Sequence, residues 1–203
     1  MRKRRLLNNE KYYLYCFSTG DTELIYFNRY INEVLKDKID FSPKKELITQ
    51  INPNIKNENK DSLIKNIIDY IDKRIPGNEY GIGKIITIIT DCDKTDPKNI
   101  NDLRLRFKNK FKDKTLFILN YQALEDWLEY YYNQKTDKGQ MRRDVIEHWD
   151  KVFQNNHNNA VNKYLKNHNQ KEPSTVDDYL NIQSSKYSDF PYAFKYLEEL
   201  EIN

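Results

Sequence analysis

Cysteine is nearly absent, with only Cys16 and Cys92 in 203 residues. That excludes a disulfide scaffold and a four-cysteine zinc site. Glycine, at 5, and proline, at 6, are equally scarce, which excludes collagen-like and low-complexity chains. No apolar run approaches the roughly 18 residues a membrane helix needs. The chain starts Met1-Arg-Lys-Arg-Arg5, but polar Asn8 and Asn9 follow Leu6 and Leu7 where a signal peptide would have an apolar core. No signal peptide is therefore expected. Two unpaired thiols make the reducing cytoplasm the expected location. A strong excess of one charge is also missing. Lys and Arg number 34 against 31 Asp and Glu, a balance of +3 that names no partner, although basic clusters stand at Arg2 to Arg5, Arg104 to Lys114 and Arg142-Arg143.

What is present is aromatic. Hydrophobic residues make up 38% of the chain, below the roughly 45–50% of an average globular domain. Yet 16 Tyr and 9 Phe bring the aromatic share to 13%. Disordered chains lack aromatics, so the expected core is folded and filled by Tyr and Phe.

The apolar runs set the architecture. Residues 12–17 (YYLYCF) read as a short buried strand, and Ser18 to Asp21 as a turn with N-cap residues. Leu24, Ile25, Phe27, Ile31, Val34 and Leu35 fall at helical spacing and predict a helix over 23–36. A short strand is expected at 39–41, a loop at 52–59 and a helix around 63–71. Residues 84–90 (KIITIIT) are apolar or β-branched on both faces, the pattern of a central parallel strand. A helix over 99–111 and a strand at 115–119 follow. Strands alternating with helices predict an α/β fold with a parallel sheet flanked by helices. Beyond residue 119 only helical patterns remain, near 124–132, 141–153, 160–167, 176–180 and 193–200. The expected organisation is an α/β domain over 1–122 and a C-terminal helical extension over 123–203 packed on it.

Open parallel sheets bind ligands beyond the carboxyl ends of their strands. Two acidic clusters fall there. Ser18-Thr-Gly-Asp-Thr-Glu23 follows the first strand, and Asp91-Cys-Asp93 follows the central one. Residues i and i+2 of a strand face the same way, so Asp91 and Asp93 can share one target. Gly20 permits a tight turn that brings Asp21 and Glu23 toward the next strand end. Carboxylates converging without equal basic neighbours repel, and a hard divalent cation with oxygen ligands, Mg²⁺ or Mn²⁺, is the usual resolution. The purely structural reading is that these acids cap loops and first helical turns.

Gly20-Asp-Thr-Glu23, Asp91-x-Asp93 and the parallel frame together resemble a Toprim domain. The similarity is to the RloB-type Toprim family of prokaryotic defence and mobile-element proteins. That family reads Glu-Gly-x-x-x/Thr-Glu in the first loop, Asp-x-Asp in the second, then a strand leading to Ser-Asn-Pro-x-Phe-Glu-x-Trp. The third stretch here is Asn120-Tyr-Gln-Ala-Leu-Glu-Asp-Trp127. Glu125 and Trp127 match, Leu124 stands for the Phe, and the Ser-Asn-Pro is absent. The resemblance covers roughly residues 11 to 130. It implies a Mg²⁺-dependent nuclease in anti-phage defence, with nucleic acid (RNA or DNA) as substrate and an ATPase defence protein as a possible partner. Glu23, Asp91 and Asp93 would hold the metal, and Asp21 or Glu125 would orient water. Thr19 stands where the family has a glutamate that ligates metal or acts as acid–base. The rival reading is therefore a catalytically impaired Toprim-like module that binds nucleic acid or a partner protein. A third reading, a phosphatase of the haloacid dehalogenase class, takes Asp91-x-Asp93-x-Thr95 as nucleophile motif. About 80 residues precede that motif here, where the class has it after its first strand.

Other residues keep two readings. Glu125 is a further ligand or a helix cap. Trp127 and Trp149 are expected in the core or at the junction of the two parts. His148, His157 and His168 have no metal-ligand spacing with the cysteines. Tyr130 to Tyr132 stack bases or pack. Arg104, Arg106, Lys108, Lys110, Lys112 and Lys114 form a basic ridge, either a solvated helix face or a track for phosphates.

Overall fold

The computed structural model describes residues 12–18, 20–37, 39–40, 49–50, 65, 69, 84–91, 97–112, 115–120, 123–168 and 187–200. Three apolar runs become neighbouring strands. These are β1 (Tyr12–Ser18), β4 (Lys84–Asp91) and β5 (Thr115–Asn120). Two short strands, β2 (Ile39–Asp40) and β3 (Thr49–Gln50), pair with opposite ends of β1. All pairings are parallel, in the order β2-β1-β4-β5 with β3 also on β1. β4 is central because its side chains suit burial on both faces. Residues 85–90 and 115–120 are buried without exception. Since successive side chains alternate, both faces of the sheet are covered.

The chain is thus an α/β protein with a parallel sheet flanked by helices. Helix α1 (Asp21–Val34) follows β1, starting two residues before the expected position. Helix α2 (Pro97–Phe111) leads into β5. After β5 come α3 (Glu125–Leu128), α4 (Lys138–Glu147), α5 (Trp149–Val152), α6 (His157–Asn167) and α7 (Phe190–Glu198). Single 3-10 turns sit at Glu129–Tyr131 and Gln154–Asn156. The helix expected over 141–153 is two helices, because the backbone of His148 leaves helical geometry (φ −127°, ψ 30°). The helices expected near 176–180 and, apart from helical positions 65 and 69, over 63–71 lie outside the described residues. Among the described residues no helix is long and apolar enough to cross a membrane.

The helical part is joined to the sheet domain by aromatic packing. Tyr26, Phe27 and Tyr30 of α1 are fully buried. Tyr26 meets Tyr131, Trp149, Phe153 and Phe190 edge-on, at centroid distances of 5.3–6.4 Å. Trp127 donates its indole N–H to the Tyr26 hydroxyl (2.7 Å). Tyr26 is linked in turn to Tyr131 (2.7 Å), and Tyr131 to His157 Nδ1 (2.7 Å). A direction that uses every hydroxyl proton runs from Trp127 through Tyr26 and Tyr131 to His157, leaving the imidazole proton on Nε2. Trp127, Trp149 and Tyr131 are therefore packing residues. Tyr132 donates to Asp144 (2.8 Å), and Tyr130 bonds His168 (3.1 Å).

One contact seals the sheet. Ser188 forms an antiparallel bridge with Asn120, and Asp189 exchanges hydrogen bonds with the backbone of Leu119. No local pattern in 187–189 announces a strand. The contact brings the start of α7 to the carboxyl end of β5.

Candidate functional site

The carboxyl ends of β1, β4 and β5 each deliver one acid. After β1, the Ser18 hydroxyl donates to the Gly20 carbonyl (2.8 Å) and accepts from the Gly20 N–H (3.2 Å). This fixes the entry to α1, where Gly20 is the N-cap and Asp21 and Glu23 occupy the first turn. Acids there face the positive end of the helix dipole. Glu23 is buried and folds back over its own N-cap. A Cβ at position 20 would lie 2.1 Å from Glu23 Oε2 and 2.8 Å from its Cδ. Glycine is what lets this carboxylate occupy the space. Asp21 is exposed, the first residue of the helix.

Asp91 closes β4 and is half-buried. A relay of buried groups orients it. The Phe190 N–H donates to Ser188 Oγ (3.1 Å), Ser188 Oγ donates to Asn120 Oδ1 (2.7 Å), and Asn120 Nδ2 donates to Asp91 Oδ1 (3.0 Å). Asn120 and Ser188 are both wholly buried. The sequence gives no hint of Ser188, which is remote in the chain. Asn120 stands out only as a polar residue ending an apolar strand.

Glu125 opens α3 just beyond β5 and is buried, with 2% of its side chain exposed. It does not cap the helix. The nearby side-chain bond to the backbone is made by Asp126, whose Oδ2 accepts from the Ala123 N–H (3.2 Å), one residue ahead of the N-cap Leu124. Instead Glu125 Oε1 accepts from Nε of Arg142, on α4. The Arg142 side chain is 58% exposed, so the pair has one partner in the protein and one at its surface.

Arg142 stands out in the sequence only as half of the basic pair Arg142-Arg143; its place beside the acids was not foreseen. Its guanidinium is held in the charged form, first by the hydrogen bond and charge of Glu125, against the opposing effect of burial, and then by the fields of Glu23 and Asp91. One cation therefore senses acids from the ends of three adjacent strands. The expectation of acids converging without basic neighbours is corrected here: α4 supplies a positive charge among them. Beyond that basic pair nothing local signals the role, because the hydrogen-bonded partner is 17 residues away in the chain.

Glu23, Asp91 and Glu125 are thus brought to one region, around Arg142. Asp93, Cys92 and Thr19 lie outside the described residues. Among the described residues no group of three His, Cys, Asp or Glu side chains stands close enough to hold a metal ion. The two remaining expectations differ in outcome. Cys16 is buried inside β1 and burial pushes its thiol pKa well up, so it is an inert packing residue. The basic ridge is split. Arg104 is buried, Arg106 pairs with Asp102 one turn away (3.2 Å), and Lys108, Lys110 and Lys112 are exposed.

No family model matches the chain, and neither a curated protein nor a solved structure matches it.

Proposed function

We propose that the chain is a Mg²⁺- (or Mn²⁺-) dependent nuclease of the Toprim type that cleaves nucleic-acid phosphodiesters. The observation that carries this reading is the placement of Glu23, Asp91 and Glu125, the last paired with Arg142, just at or beyond the carboxyl ends of three adjacent parallel strands. Ligands of such sheets gather there. The donors are hard carboxylate oxygens, and they outnumber the one guanidinium, which fits a magnesium-type ion. Such an ion commonly takes only one or two protein carboxylates plus substrate phosphate. Glu23 and Asp91, with Asp93, would hold it. When bound, it supplies charge stabilisation at the scissile phosphate and a more acidic water.

The chain's own groups do the rest. Arg142 is anchored by Glu125 through Nε, and its exposed part is suited to a phosphate oxygen, whose geometry matches the guanidinium fork. Glu125 is then a positioning residue. The relay from Phe190 through Ser188 and Asn120 holds Asp91 in one orientation. The defence role and the ATPase partner follow from the resemblance to RloB-type Toprim proteins.

A second reading has its own observation. Arg142 already neutralises Glu125, and a binding module needs no metal. With Thr19 in the place of the family glutamate, the site would recognise nucleic acid or a protein partner without cutting.

The test is a cleavage assay on RNA and DNA, single-stranded and duplex, with Mg²⁺ or with EDTA. Asp91→Asn and Glu23→Gln are each expected to lower metal-dependent cleavage about 100-fold or more, the usual loss for one electrostatic stabiliser. Both substitutions keep side-chain size, so melting should change little. A wild-type protein that is inert on every substrate, with no Mg²⁺ effect on melting, favours the binding module.

A further inference from the structure

Among the described residues no strand pairs with the amino-terminal half of β5 on the side away from β4, and none of the acidic cluster uses this edge. Its far half is sealed. The Leu119 N–H donates to Asp189 Oδ2 (3.1 Å), and the Asp189 N–H donates to the Leu119 carbonyl (2.8 Å). Backbone groups of alternate strand residues point to the same edge. Those of Thr115 and Phe117 therefore point the same way as those of Leu119, away from β4. A cavity of about 370 Å³ lies over this stretch. That is within the size range of small-ligand sites.

Its walls are chemically unlike. Lys108 and Lys112, one turn apart at the end of α2, form one side, and both are exposed. Tyr192 and Tyr196, one turn apart on α7, form the other, and both are half-buried. Asp189 also lines the cavity, but its two oxygens accept from the Leu119 N–H and the Tyr187 hydroxyl. The two ammonium groups outweigh it.

A second observation falls on the same wall. Lys112 has φ 58°, the left-handed region where glycine is the usual residue. Glycine would end α2 there without strain. A strained non-glycine residue at a cavity wall points to a use for its side chain.

We propose that this cavity binds a nucleoside phosphate unit. The base lies against Tyr192 and Tyr196, and the phosphate is held by Lys108 and Lys112. Aromatic faces accept any base, and lysines neutralise phosphates. The backbone groups of Thr115 and Phe117 supply polar contacts to the base edge. An acidic peptide added as a strand is disfavoured, because Asp189 blocks Leu119 and among the described residues only Thr115 to Phe117 is left for pairing. The unit is either a free nucleotide or one residue of a single strand. The proposal does not rest on the nuclease reading, since the acidic cluster lies at the opposite end of β5.

The experiment measures binding by the full chain in EDTA, where metal-dependent cleavage is silent. The probes are nucleoside monophosphates, a fluorescent oligothymidylate, inorganic phosphate and an acidic peptide. Lys108→Gln/Lys112→Gln should weaken nucleotide binding at least tenfold. It should also reduce the slope of log K against log salt by about 0.7 on the single strand, the value for one lost phosphate contact. Tyr196→Ala should weaken binding roughly tenfold. Lys151→Gln/Lys166→Gln, an equal charge change elsewhere, should change neither by as much. Tight binding of monophosphates marks a free-nucleotide site, and binding of the oligomer alone marks a strand subsite; either supports the proposal. Unchanged binding in the lysine pair, phosphate competing as well as nucleotide, or preference for the peptide would overturn it. Melting curves of each variant show that it is folded, as expected for substitutions of exposed lysines.

Discussion

Gly20 and Glu23 are coupled through space, and that coupling separates catalysis from stability at a single residue. The backbone at Gly20 is extended (φ −140°, ψ 152°), so alanine suits it conformationally. The obstacle is the Glu23 carboxylate, 2.1 Å from the position of an added Cβ. The far end of a glutamate turns aside at small energetic cost. Gly20→Ala is therefore expected to change unfolding free energy by less than about 1 kcal/mol. It should nonetheless displace one acid from the field of Arg142 and depress Mg²⁺-dependent cleavage. Urea unfolding and the cleavage assay check the two halves separately; a large stability loss with full activity would show that Glu23 serves only the helix start. Glu23 and Asp91 could be nominated from sequence because each follows an apolar strand. Arg142 was visible only as a basic pair with Arg143, because the charges it answers come from elements that meet it only in the folded chain.

At the scale of elements, the strands were legible and so were the ends of the helices at Phe111 and Asn167, but the break within 141–153 was not. Residues 84–90 are apolar or β-branched on both faces, which admits few roles besides a central parallel strand. The central position of β4 between β1 and β5 follows from that character. The break at His148 had no glycine or proline to mark it. It is held instead by Asp144, whose carbonyl accepts the His148 N–H (3.0 Å) and whose carboxylate meets His148 Nδ1 (3.1 Å). The end of α2 at Phe111 falls where the sequence placed it, but the conformation that ends it carries no sequence mark. Lys112 sits where glycine is expected, donating its N–H to the Lys108 carbonyl (2.8 Å), while the Thr115 hydroxyl bonds the Lys112 carbonyl (2.9 Å). A left-handed residue with a side chain costs roughly 1–2 kcal/mol. Lys112→Gly relieves that strain but adds backbone entropy to the unfolded chain, so a net gain of about 1 kcal/mol is expected. Denaturant titration measures it. A gain in stability with weaker nucleotide binding is the joint result expected of a strained residue kept for its ammonium group. A loss of stability would mean that the lysine stem packs favourably where it lies.

For the whole molecule, the low aliphatic content announced an aromatic core, but not that the core would carry a polar thread through it. Tyrosine provides both, an apolar ring to bury and a hydroxyl that must find a partner. His157 ends the thread, packed against Tyr30 (4.6 Å) and Phe194 (4.9 Å) and bonded to Tyr131. Burial lowers its pKa from 6.5 to about 4. Glu198 lies 3.9 Å from Nε2 and opposes this shift, but it is 39% exposed and its Oε1 already accepts from Tyr30 (2.8 Å). Burial therefore dominates, and His157 is neutral in the folded protein at pH 7. In the unfolded chain it takes up a proton near pH 6.5, before the folded form can. Stability is thus fully present above pH 6.5, is lost progressively as pH falls toward about 4, and changes no further from this group below that. The shift corresponds to about 3 kcal/mol. Gln at this position can still bond Tyr131 and does not titrate, so His157→Gln isolates the effect from the carboxylates that also protonate in acid. Urea unfolding of both proteins at pH 7.5, 5.5 and 4 is expected to show their difference in stability moving by about 3 kcal/mol in favour of the variant. A difference that stays constant over this range would mean that Glu198 closes on the imidazolium and holds it as an ion pair, and the aromatic core would then tolerate a charge at its centre.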